Sequence, residues 1–288
     1  MGGQMFGRRP DATRIEGLSP MRRIMPHISP RRNESLFYMP QTFCVDPALE
    51  FLEKRNRERS PERPMTLFHL VLRSISQMMA LRPGINRFVM GGQIWQRNGV
   101  YLSFAAKREL VDGAPMLTIK REFLPDTETL DEMVDGIYGK LRPQRAGVET
   151  TSDKETKAVV RLPNFAMGWI VRAGNLLDRF GLLPGAMIEA DPLYTSMFVA
   201  NLGSVGLGAG FHHLWERGTC STFGVFGEIE TQPDGRRTAG INWTYDERVE
   251  DGLYASLALA GTLGRIENPE LLLATTDELR RQEAAEKG

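Results

Sequence analysis

Asn242 to Gly252 reads N-W-T-Y-D-E-R-V-E-D-G. From Ile241 to Tyr245 the chain mixes aromatic and β-branched side chains, a composition that suits a pleated, half-buried strand. The strand gives way at Asp246 to a charged loop holding Glu247, Arg248, Glu250 and Asp251. After Gly252 comes an apolar, Ala-rich run, Leu253 to Leu263, which reads as a buried helix. A strand that ends in a charged loop feeding a helix can project side chains into a cleft from a rigid frame.

The rest of the chain supplies a frame of both kinds of element. Upstream, Ser35 to Val45 reads as a strand whose Pro40 places it at a sheet edge or a bulge. Asp46 and Pro47 then start a helix, and Thr66 caps a second one, Leu67 to Leu81, that is apolar almost all round. His69 inside it reads as a hydrogen-bonded core or boundary histidine rather than a catalytic one. Pro83-Gly84 stops the helix, and Arg87 to Ala106 reads as two strands around the Gly91-Gly92 and Asn98-Gly99 turns, followed by a strand over Pro115 to Phe123. Leu130, Met133, Val134, Ile137 and Leu141 fall at helical spacing. Beyond a polar stretch, Arg142 to Lys157, the apolar region Ala158 to Phe180 is interrupted by Arg161, Pro163, Arg172 and Asp178, so it reads as a lid or a buried helical pair, not a membrane span. From Ser196 the chain turns strand-like again. The expected fold class is α/β (α+β), a central mixed sheet flanked by helices. Residues 1–20 are expected to form a flexible arm, 21–275 the folded domain, and 276–288 a polar tail, the chain after Pro269 being a short polar helix or disordered.

Several of these stretches together resemble the catalytic domain of the dihydrolipoyl acyltransferases of 2-oxo acid dehydrogenase complexes, which have the chloramphenicol acetyltransferase-like fold. D-E-R-V-E-D-G at 246–252 resembles the family's D-H-R-x-x-D-G. F-V-A-N-L-G at 198–203 is similar to its T-x-S-N-L-G strand, and Pro83-Gly84-Ile85-Asn86 to its helix end. The order and spacing hold from about Met21 to Leu273. The resemblance implies a homotrimer with acyl channels between subunits, coenzyme A as substrate, and small-molecule acyl donor and acceptor. It further implies Asp251 as the organiser of the loop, and Asn201, Gly203, Ser204 and Arg248 beside the substrate.

Two departures bear on chemistry. Glu247 stands where the family has its histidine base, and Ala200 stands where it has the serine or threonine that donates to the oxyanion. Losing one such donor costs about a hundredfold to a thousandfold in turnover. An unperturbed glutamate titrates near 4.3, about two units below histidine, so Glu247 either has its pKa raised by burial and neighbouring carboxylates to serve as base, or forms a structural ion pair with Arg248. His212 and His213 offer a second source of a base, against a packing role; no ligand set at useful spacing accompanies them, so no metal is expected. The glycines at 203, 206, 208 and 210 lack the following helix of a dinucleotide site and the Gly-Lys-Ser/Thr of a phosphate loop, and read as a turn with close backbone approach. No lipoyl-bearing hairpin lysine or Pro/Ala-rich linker is recognisable, so no lipoyl group is expected on this chain. A degenerate, stand-alone acyltransferase and a non-catalytic trimeric scaffold or CoA-binding pseudoenzyme both remain open.

Composition narrows the class further. Among 288 residues, 36 Lys and Arg balance 36 Asp and Glu, which argues against a dedicated nucleic-acid surface. No apolar run reaches the roughly 18 to 20 residues of a span, so no membrane partner is expected. The segment M-G-G-Q-M-F-G-R-R-P has no apolar core of a secretory signal. Cys44 and Cys220 are too few for a disulfide framework, and a reducing cytoplasm is expected.

Overall fold

A computed structural model describes residues 9–107, 116–147, 157 and 159–286. In chain order these form β1 (Ala12–Arg14), α1 (Pro20–Ile28), β2 (Leu36–Cys44), α2 (Asp46–Asn56), α3 (Leu67–Leu81), β3 (Arg87–Met90), β4 (Gln93–Arg97), β5 (Val100–Lys107), β6 (Met116–Phe123), α4 (Leu130–Arg145), α5 (Asn164–Arg179), α6 (Gly185–Ala190), β7 (Met197–Asn201), β8 (Thr222–Thr231), β9 (Arg237–Asp246), α7 (Gly252–Glu267) and α8 (Thr276–Glu286).

The main sheet is mixed and ordered β2-β9-β8-β7-β5-β6, parallel only where β7 meets β5 and β8. Pro40 sits on the edge strand β2, opposite Asn242, where a missing N–H costs least. Alternation along the strands sends Phe43, Leu102, Val199, Phe226, Ile241 and Trp243 into one core shared with α2, α3, α4 and α7. The alternate residues Phe198, Phe223 and Val225 point to the other face, where Leu214, Cys220 and Trp215 of the 202–221 loop cover them. Helices therefore bury one face and an irregular loop the other.

Arg87 to Ala106 holds three strands rather than two. Gly91 and Gly92 both have positive φ, +62° and +73°, as a two-residue hairpin turn requires, and β3 and β4 pair there with β1 in a separate three-stranded sheet. At Asn98-Gly99 the chain crosses to the main sheet. Arg97 ties the two sheets together by donating from Nη2 to the carbonyls of Thr195 and Thr219 at 2.9 and 3.1 Å.

Three further expectations are sharpened or change. Within the stretch expected as a flexible arm, Arg9 is buried against Asp178, and Ala12–Arg14 pairs with Arg97–Trp95, so backbone pairing and an ion pair hold residues 9–14 in place. Part of the polar tail is the helix α8, seated by fully buried Thr276. Within the region expected as a lid or buried pair, α5 is not buried: Phe165 and Trp169 are 73% and 68% exposed. Residue 158 and most of the polar stretch before it, 148–156, lie outside the described residues.

His69 is a helix-start residue. Its Nδ1 accepts the Thr66 backbone N–H at 3.1 Å, and burial lowers its pKa to about 4. The unfolded chain, with histidine near 6.5, binds that proton more readily, so stability falls as pH drops from about 6.5 towards 4. By linkage the loss at pH 4.5 is on the order of 2.5 kcal/mol. His69→Gln, which keeps an acceptor, is expected to remove this part of the acid slope; urea midpoints at pH 7 and 4.5 that change equally in both proteins would refute the assignment.

Candidate functional site

The charged loop is built on a buried ion pair. Arg248 donates from Nε and Nη2 to the two carboxylate oxygens of Asp246 at 2.8 and 2.7 Å, a bidentate fork with both residues almost fully buried. Its Nη1 reaches the Ser29 carbonyl at 2.9 Å, just beyond α1. Arg32 Nε has no hydrogen-bond partner but lies 3.8 Å from Asp246 Oδ2, while its Nη groups donate to the carbonyls of Trp215 and Gly218. Burial lowers the Arg32 pKa. One carboxylate thus gathers two guanidiniums and, through them, the chain after α1, the 202–221 loop and the end of β9.

This corrects the expected partner of Glu247. Arg248 is taken by Asp246, and Glu247 is exposed, with no hydrogen bond or ion pair to its carboxylate among the described residues. Its backbone is held instead, N–H to the Ser35 carbonyl at 3.0 Å and carbonyl to Arg22 Nη1 at 3.0 Å. Asp251 caps α7, accepting the Tyr254 N–H at 2.8 Å. The Tyr254 hydroxyl in turn accepts the Gly84 N–H at 3.1 Å, so the Pro83-Gly84 turn and the Asp251-Gly252 corner meet through one side chain.

The second set of expected site residues lies elsewhere on the sheet. Asn201 ends β7; its Oδ1 accepts the Ser204 N–H at 3.1 Å and its carbonyl the Ser204 hydroxyl at 2.9 Å, so its acceptors are spent on a local turn. A Cβ at Gly203 would come within 2.4 Å of the Gly227 carbonyl oxygen, which explains that glycine by close backbone approach. His212 stacks on Phe223, ring centroids 4.2 Å apart, and on His213 at 4.5 Å, with Trp215 beside them. These histidines stand on an aromatic platform over the loop-covered face, on the side where Ala200 packs.

Strand register separates the two sets. Ala200, Val225 and Asn242 occupy one row, and Asp246 is four residues further along β9. At about 3.4 Å per residue and 4.8 Å per strand, that is roughly 14 Å along and 10 Å across. A base and an oxyanion donor acting on one carbonyl must both come within about 3 Å of the reacting atoms. One chain does not bring Glu247 and Ala200 together.

No family model and no curated protein matches the sequence. Similarity emerges among solved structures. A probable dihydrolipoamide acetyltransferase from Listeria monocytogenes 4b F2365 aligns at a TM-score of 0.58 and 13% identity, over 89% of this chain and 95% of that one. The dihydrolipoamide acetyltransferase of Azotobacter vinelandii aligns at 0.58 and 16%, over 90% and 94%. A chloramphenicol acetyltransferase aligns at 0.53 and 10%, over 91% and 100%. The chain has the chloramphenicol acetyltransferase-like fold. Sequence reasoning did not single out Arg32, because the Arg31-Arg32 pair in a polar stretch carries no pattern that marks one of the two as buried.

Removing one partner of a buried ion pair strands the other. Arg248→Ala is expected to cost about 3 kcal/mol or more, whereas Glu247→Gln at the adjacent exposed position should stay within about 0.5 kcal/mol. Urea unfolding of both variants decides; equal effects would contradict the assigned pairing.

Proposed function

We propose that this chain is a CoA-dependent acyltransferase of degenerate type, working as a homotrimer that moves an acyl group between a CoA thioester and a small thiol, hydroxyl or amine. The observation that carries this is the register separation of Glu247 from Ala200 within a frame that covers nearly the whole of known acyltransferase cores. A neighbouring subunit is the simplest source of the missing half of each site. Among the aligned structures is the cubic core of the pyruvate dehydrogenase multienzyme complex, an assembly of many copies.

In the proposed reaction the acceptor's nucleophilic atom attacks the thioester carbonyl carbon, the C–S bond breaks, and CoA leaves as a thiol. The acceptor's proton passes to a base, Glu247 from one subunit or His212 or His213 from the next. Ser204 and Arg248 are then second to the backbone: Arg248 holds the loop and the Ser204 hydroxyl serves the turn after Asn201. Ala200 offers no hydroxyl to a developing oxyanion, so turnover is expected to lie about a hundredfold or more below that of an enzyme with a complete oxyanion hole.

Ala200 and the exposure of Glu247 also favour a second reading, a trimeric scaffold or CoA-binding pseudoenzyme. Incubation of the protein with acetyl-CoA and a panel of acceptors is expected to release free thiol above a no-protein control, with Glu247→Gln reducing the rate at least tenfold. Thiol release at background, alongside thermal stabilisation by CoA, would replace the enzyme with the pseudoenzyme. A sedimenting mass of one chain, 32.4 kDa, would overturn the shared-site arrangement altogether.

A further inference from the structure

Away from the Asp246–Gly252 loop, α5 presents an outer surface that none of the described residues covers. Its attachment is one-sided. Asp178 is its buried residue, accepting from Arg9 and from the Tyr194 hydroxyl, and Asn175 faces Arg217. At about 100° per residue, Phe165, Trp169 and Leu176 fall within about 40° of each other, nearly opposite Asp178, and Phe180 continues their stripe. These four are 73%, 68%, 57% and 50% exposed. Helical geometry places Arg172 and Arg179, both exposed, along one flank of the stripe. Between Asn164 and Ile188 the acidic residue is Asp178 alone, and it is buried and paired, so every exposed charge over that span is positive.

A neighbouring helix has the same character. In α1, Met21, Ile24 and Ile28 are exposed at i, i+3 and i+7 spacing, alongside exposed Arg23 and with no acid in the helix, while Arg22 is engaged with the Glu247 and Arg248 carbonyls. The two helices flank the Gly91-Gly92 turn, His27 against Gly92 and the Arg179 carbonyl against Gly91.

We propose that α5, supported by α1, docks this protein onto a bilayer surface bearing anionic headgroups. Apolar and aromatic side chains enter the headgroup boundary while the flanking arginines remain with the phosphates, the arrangement of a helix lying in the interface plane. The helix does not cross: 16 residues rise about 24 Å, short of the hydrocarbon thickness. Charge selects this occupant. The chain is neutral overall, so the cationic surface is local. A second copy packed two-fold on the same stripe would set Arg172 and Arg179 against their own kind, while a three-fold neighbour would meet the stripe with a different surface and is distinguished by the oligomer arm of the test.

Flotation of the full-length protein with vesicles tests the proposal. With phosphatidylcholine containing about a third phosphatidylglycerol, the protein is expected to float with the lipid, and with phosphatidylcholine alone to stay in the dense fraction. Arg172→Gln should lower the partition about fivefold, the value of one basic residue at an anionic surface. The double variant Phe165→Asp, Trp169→Asp should abolish flotation while keeping the wild-type unfolding midpoint, since both side chains lie outside the core. A wild-type protein left in the dense fraction with anionic vesicles, or a double variant that floats like wild type, would overturn it. So would a wild type that does not float and an oligomer that falls to single chains in the double variant, which would assign the stripe to another copy.

Discussion

Asp246 is the point on which the site region depends. A carboxylate with no solvent exposure is tolerable only when its charge is matched and its lone pairs are filled; Arg248 fills them with its hydrogen bonds, and Arg32 adds a second positive charge at 3.8 Å. Because the two guanidiniums also hold carbonyls of Ser29, Trp215 and Gly218, satisfying this one charge brings three segments distant in sequence to a single place. The loop carrying Glu247 is rigid at its backbone for that reason, while the Glu247 side chain is left outside.

The split between a held loop and a free carboxylate separates the structural residues of this loop from the one left open to solvent. Asp251 caps α7, and the Tyr254 hydroxyl accepts the Gly84 N–H, which is structural work within this chain. Position 247 does none of that work. The exposed Glu247 side chain takes no part in the packing, whereas the methyl of Ala200 joins the apolar cluster under the 202–221 loop. Chemistry at this site can therefore change without any change in fold.

The two faces of the main sheet divide labour in a similar way. The helix-covered face holds the large core and leaves little room for variation. The loop-covered face, with His212, His213, Trp215 and Phe223 stacked upon one another, is closed by side chains and irregular backbone. Surfaces closed by loops are where new groups can be introduced at small cost to stability.

Local chemistry in the sequence determined a good deal. Periodicity located most of the strands and helices, Pro40 marked an edge or a bulge, Gly91-Gly92 a turn, Thr66 a helix start, and the series from Pro83 to Gly252 pointed to the acyltransferase-like frame, because each of these depends on neighbours a few residues away. What the sequence left undecided depended on distant partners. Spacing alone suggested Glu247 as the partner of Arg248, and only the burial of Asp246 at the end of β9 shows the pairing with Asp246 instead. Arg32, the anchoring of residues 9–14 and the outward face of α5 belong to the same class: each is set by which surface arrives beside it, and that is a property of the assembled sheets rather than of any stretch of chain.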